Sequence, residues 1–143
     1  MYLLDTNVIS ELRKAKSDKA NQSVVAWAST VSVNSLFLSV ITVLELEMGV
    51  LLLERRDAHQ GAILRAWLST QVLPTFSDRI LSVDVAVAQS CAKLHVPDPQ
   101  PERDAIIAAT ALVHGMTVVT RNIEDFKSVR VDILNPWEYS DNA

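Results

Sequence analysis

Apolar residues in this chain fall into two kinds of run. Short runs of Leu, Ile and Val occupy residues 2–5 (YLLD), 36–39 (LFLS), 79–83 (RILSV), 117–120 (TVVT) and 129–134 (VRVDIL). Each has the length and apolar character of a short buried strand. Longer stretches with apolar positions at helical spacing lie at 7–14 (NVISELRK), 21–31, 42–56, 59–72, 84–95 and 101–115. In the last of these, Pro101 suits the first turn and Gly115 the C-terminal end. Buried strands alternating with helices predict an α/β fold, a parallel sheet covered on both faces. Three prolines in VPDPQP (96–101) mark a connection rather than a domain boundary. Residues 1–143 are long enough for one domain with a substantial core.

Composition narrows the functional classes. The chain is 49% apolar and 21% charged, with a net charge of −4. An acidic chain meets nucleic-acid phosphates only through local basic patches or bound cations. Its single cysteine, Cys91, excludes an intramolecular disulfide and suits a small buried apolar role. That usage points to a reducing compartment, so a cytoplasmic location is expected. The first ten residues carry no basic, apolar leader pattern. The most apolar run, VLELEMGVLLL, is too short to cross a bilayer and holds Glu45 and Glu47, so no membrane role is expected. His59, His95 and His114 lack ligand spacing and are expected at the surface or at helix ends, which argues against zinc. The three glycines cannot form a dinucleotide or phosphate loop. Trp27 and Trp67 sit among apolar positions and predict core or interface. Trp67, Leu68 and Leu51 to Leu53 together exceed what the helices readily bury, the pattern of an association surface. The cations of RKAKSDK (13–19) and Arg55-Arg56 are expected as solvated charge, some of which can steer a phosphate substrate.

The acids fall in a pattern. Asp5 ends the first strand, and Glu45 lies in the first helical turn expected after the second. Asp125 follows TVVT, and Asp104 opens the helix that feeds that strand. Sites in open α/β sheets form at the carboxyl ends of strands, so all four are expected on one edge. Each acid also has a structural explanation. Thr42-Val-Leu-Glu45 reads as a capping box. Asp104 complements a helix dipole, Asp5-Thr6-Asn7 can form a cap or turn, and Asp125 can be a solvated loop acid. Taken together they favour a site, because clustered carboxylates call for a hard cation such as Mg²⁺ or Mn²⁺.

The chain resembles the PIN-domain ribonucleases, and among them the toxins of VapBC- and FitAB-type modules. LLDTNVISEL, LSVITVLELEMGV, RDAIIAATAL and VVTRNIEDF are similar to the four family motifs in order, and the closing ILNPWEY is similar to FitB-type members. Glu47 and the VPDPQPER approach to Asp104 depart from the pattern. The resemblance implies one PIN-like domain over 1–143, with a five-stranded parallel sheet sandwiched between helices. It implies RNA cleavage with Mg²⁺ or Mn²⁺, with Asp5 and Asp104 as core metal ligands. Glu45 would bind directly or through water, and Asp125 would complete the pocket or a second metal position. Thr6 and Thr120 would hold the carboxylates, Asn122 the loop, and Arg121 would contact phosphate or pair with an acid, with Asn7 supporting. It implies a cognate antitoxin, a homodimer, and DNA contact only through the antitoxin complex. The competing function is a PIN-fold binding module, catalytically weak, that acts with its antitoxin as a DNA-binding repressor. A receiver-type phosphotransfer domain also gathers acids but needs a lysine after a late strand, where this chain has TVVTRN.

Overall fold

The computed structural model describes residues 1–141. Five parallel strands form one sheet: β1 (Tyr2–Leu4), β2 (Leu36–Ser39), β3 (Ile80–Leu81), β4 (Thr117–Val119) and β5 (Ile133–Leu134). Their spatial order is β3-β2-β1-β4-β5. The helices are α1 (Thr6–Leu12), α2 (Gln22–Ser29), α3 (Val40–Arg56), α4 (Ala58–Trp67), α5 (Leu73–Thr75), α6 (Val85–Leu94) and α7 (Glu102–His114). The chain runs outward from β1 to β3, then crosses back to place β4 on the other side of β1. The crevice beyond the carboxyl ends of β1 and β4 is therefore the topological switch point.

Adjacent residues of a strand point to opposite faces, and the core follows that rule. Leu4 and Val119 pack with Val8, Trp27, Leu38, Leu46, Val50 and Leu68 on one face. Leu3 and Val118 pack with Ile107, Ala108, Ala111 and Phe126 on the other. Both faces are covered, as the continuous apolar strands predict. Trp27 is core, and Cys91 is buried between α6 and α7 with Val87, Ala105 and Ala109.

Several boundaries differ from expectation. The third helix starts at Val40, capped by the Ser39 hydroxyl, which accepts from the Ile41 amide at 3.0 Å. Thr42 is fully buried inside the helix and its hydroxyl reaches the Leu4 carbonyl at 3.5 Å. The capping box at Thr42–Glu45 is thus not formed, and Glu45 lies beyond the first turn. The helix expected over 59–72 turns π-helical at Leu68–Val72, and both Leu68 and Val72 are buried in the core. Leu68 is consequently no surface residue, whereas Leu51 and Leu52 are 51% and 65% exposed. Gly115 ends α7 in the left-handed conformation at φ 66°, which a glycine adopts without strain.

Candidate active site

Asp5 leaves β1 in extended conformation and caps α1, so its carboxylate is held at the switch point. One oxygen accepts from the Thr6 amide at 2.8 Å. The other accepts from the Thr120 hydroxyl at 2.9 Å and from Asn7 Nδ2 at 3.3 Å. Thr120 is fully buried just past β4, and its oxygen also accepts from the Asn122 amide at 3.0 Å. Asn7 Oδ1 accepts from the Arg121 amide at 3.2 Å. These bonds lock the β1–α1 junction to the loop after β4. Asn7 acts through its side chain, and Asn122 through its backbone.

Glu45 projects from α3 toward the same point. Its Oε1 accepts from the Thr6 hydroxyl at 2.8 Å, and its Oε2 stands 3.6 Å from the Arg103 guanidinium. Arg103 was not anticipated. It neighbours Asp104 on α7 and also lies 3.8 Å from the Met48 sulfur, so it leans across to α3. Asp104 is in the first turn of α7, and exposed Asp125 lies in the short 3₁₀ turn Ile123–Phe126.

Electrostatics ties the four acids together. Burial pushes the Asp104 carboxyl up to about 6, and the charges of Asp125, Asp5 and Glu45 add to the rise. The Asp5 carboxyl is also raised, by burial first, although bonds from Thr120 and Thr6 hold it back; Glu45 and Asp125 raise it further. The expected quartet is thus brought to one edge. Arg121 is not turned toward it: its guanidinium lies 5.2 Å from the Trp137 ring centroid. Glu47 is drawn away by Arg65, at 2.6 Å, which also bonds Glu54 at 3.2 Å. The VPDPQPER segment is anchored by the Gln100 amide donating to His95 at the end of α6, at 3.1 Å, and by Ser128 donating to Gln100 at 2.7 Å.

The donor set of the quartet is all oxygen, the choice of Mg²⁺ and Mn²⁺ over zinc or copper. Among the described residues no group of three or more His, Cys, Asp or Glu side chains is gathered closely enough to hold a metal ion by itself. An open arrangement suits Mg²⁺, which keeps several of its waters and takes only one or two carboxylates. Carboxylates left repelling one another in a half-buried pocket are the electrostatic signature a cation relieves.

Residues 2–132 match the family model of the PIN domain. The chain belongs to the PIN-domain family. It is 39% identical, over 96% of its length and 99% of the relative's, to VapC ribonuclease Y4jK of Sinorhizobium fredii. It is 40% identical, with the same coverage, to toxin FitB of Neisseria gonorrhoeae. Among solved structures, a FitAB complex bound to a DNA fragment superposes with a TM-score of 0.87 at 36% identity, covering both chains completely. This PIN domain therefore shares its sheet and its helical layers with toxin chains, and its acids stand on the scaffold those chains share. Among the described residues no helix is long and apolar enough to cross a membrane.

Proposed function

We propose that this PIN domain, as one unit over 1–143, is the toxin of a type II toxin–antitoxin pair: a ribonuclease that hydrolyses RNA phosphodiester bonds with Mg²⁺ or Mn²⁺. The observation that carries the reading is the meeting of Asp5, Glu45, Asp104 and Asp125 at the switch point, with Asp104 pushed up to about 6 by burial and by its three neighbours. The relatives named above, a VapC ribonuclease and a FitB toxin, support the same activity.

Asp5 and Asp104 would be the ligand pair, with Glu45 binding directly or through water and Asp125 completing the pocket or a second metal position. A cation held there would supply an activated water as nucleophile and neutralise charge on the phosphoryl oxygens. The chain's own work is positioning. Thr6, Asn7 and Thr120 fix both Asp5 oxygens, so the carboxylate need not be ordered when substrate arrives. Thr6 spans Asp5 and Glu45, its amide donating to Asp5 and its hydroxyl to Glu45. Arg103 holds Glu45 until a cation or phosphate competes for either partner.

The partners of this reading are RNA, a cognate antitoxin and a second copy of the chain, with DNA reached only through the antitoxin complex and the cytoplasm as the place of action. Leu44, Met48, Leu51 and Leu52 form an exposed apolar stripe along α3, which supports protein association. The test is cleavage of defined RNAs with and without Mn²⁺. Asp5→Ala and Asp104→Ala should each abolish cleavage while the protein stays folded; full activity in Asp5→Ala would overturn the assignment.

A further inference from the structure

A groove adjoins the acid site at Thr6 and Glu45. Its inner hollow, about 410 Å³, is lined by Thr6, Glu45, Arg13 and Trp67 among others. Two neighbouring hollows of about 280 and 490 Å³ continue it, and Arg13 and Trp67 line all three. These two side chains form a unit, with the Arg13 guanidinium 5.8 Å from the Trp67 ring centroid. Trp67 is fixed because its ring packs on the main core. Arg13 is exposed on top of it. A guanidinium held over a fixed ring presents a flat, cationic outer face, the surface on which RNA-binding proteins stack a base.

The charge around the pair fits the same ligand. RKAKSDK carries four cations and one acid in a chain of net charge −4. Lys14 is engaged by Glu11 at 3.5 Å, but among the described residues neither Arg13 nor Lys16 enters an ion pair. Lys16 lines the outer hollow beside Arg13 and Trp67. Arg13 and Lys16, without counter-ions in a groove that mixes apolar and polar walls and meets an acid only at its Glu45 end, suit a chain with flat apolar faces and a phosphate at every step. A purely apolar peptide side chain would use the hollows but not the cations.

We propose that the Arg13–Trp67 pair is a base-stacking platform for a nucleotide of single-stranded RNA next to the scissile phosphate, with Lys16 meeting the strand's backbone farther out. The platform rests on the ribonuclease reading, since it is the continuation of that site through Thr6 and Glu45. Arg13→Ala removes the platform's surface and Arg13→Lys keeps the charge without the plane. Both are exposed changes that leave the core intact.

The experiment measures KM for cleavage of a short oligoribonucleotide in Mn²⁺, and of the same strand with abasic units flanking the cleaved bond. Arg13→Ala should raise KM roughly tenfold on the normal strand, the scale of one stacked base, with Arg13→Lys recovering little of it. On the abasic strand the wild type should lose its advantage over both variants. Equal KM values on the normal strand overturn the platform, and so does an equal loss on both strands, which would mean a phosphate contact only. Weaker antitoxin binding by Arg13→Ala with RNA kinetics intact also overturns it and makes the groove a peptide seat. A wild type that cleaves no RNA under any of these conditions defeats the ribonuclease reading itself, and the platform with it.

Discussion

Replacing Asp104 by Asn should stabilise this protein while destroying its activity. The folded-state carboxyl sits at about 6 against an ordinary 3.8. At full weight that gap is roughly 3 kcal/mol of penalty on the ionised form. Asp104 is only partly buried, so solvent screening brings the figure to about 1.5 kcal/mol. Asp104 is also in the first turn of α7, where the helix dipole favours a negative charge by roughly 0.5 kcal/mol that the amide forfeits. The net gain is about 1 kcal/mol, or roughly 3 °C in Tm for a chain of this size. The sign follows from linkage. The folded pKa is raised, so the native state binds the proton more tightly. The penalty is absent below pH 3.8, grows as pH rises toward 6, and is complete above that. Asparagine mimics the neutral acid, so its benefit should be full near pH 8 and small near pH 4. The assay is thermal unfolding of both proteins in EDTA at the two pH values, with RNA cleavage measured in parallel. Mn²⁺ should raise the wild-type Tm at pH 8 by mass action and raise that of Asp104→Asn less. A variant no more stable than wild type near pH 8, or one gaining as much near pH 4, would show that Asp104 does not bear the repulsion argued for it.

The architecture was legible because its signals are local. Leu3 and Leu4 point to opposite faces in any strand, and both belong to core clusters, so a sheet covered twice follows from the residues alone. Asp5 and Asp104 were legible because topology sends the end of a strand, and the start of the helix that precedes the next, to one edge. What was lost depends on contacts distant in sequence. Ser39 and Thr42 are equally good caps by type, and Thr42 has the glutamate three residues on. The buried approach of Thr42 to Leu4, 38 residues away, removes it from capping and leaves the role to Ser39. Arg103 reaches Glu45 across α7 and α3, and helical periodicity on either helix alone cannot announce that meeting. Arg121, next to Asn122 and close to Asp125, looked like a site cation, yet the aromatic face of Trp137 holds it instead. Edge strands β3 and β5 shrink to two residues each, because pairing with a single neighbour sets their length and apolar content does not.

Thr120→Val keeps the shape of a fully buried side chain but removes the hydroxyl serving Asp5 and the Asn122 amide. It should cost about 1–3 kcal/mol in urea unfolding and raise the Mn²⁺ concentration needed for cleavage; an unchanged midpoint would show that Asn7 and Thr6 suffice. Arg103→Ala frees one Glu45 oxygen from its guanidinium, so half-maximal cleavage should need less Mn²⁺, whereas an increased requirement would make Arg103 a phosphate contact. Glu45→Gln keeps an acceptor for the Thr6 hydroxyl and lies beyond the Ser39 cap, so the Tm should stay near wild type while cleavage weakens; a large loss of Tm with normal cleavage would make Glu45 structural. The last prediction concerns the α3 stripe. Leu52 is 65% exposed and contributes little to folding, so Leu52→Glu should leave the monomer's stability within about 0.5 kcal/mol of wild type. If the stripe is buried between two copies, the same change places a charge in an apolar contact and should weaken association by roughly 2 kcal/mol or more. Light scattering at micromolar concentration separates the cases. The wild type should be a dimer and Leu52→Glu a monomer of unchanged Tm. A wild type that is already monomeric would remove the second copy from the scheme and leave the stripe to the antitoxin alone.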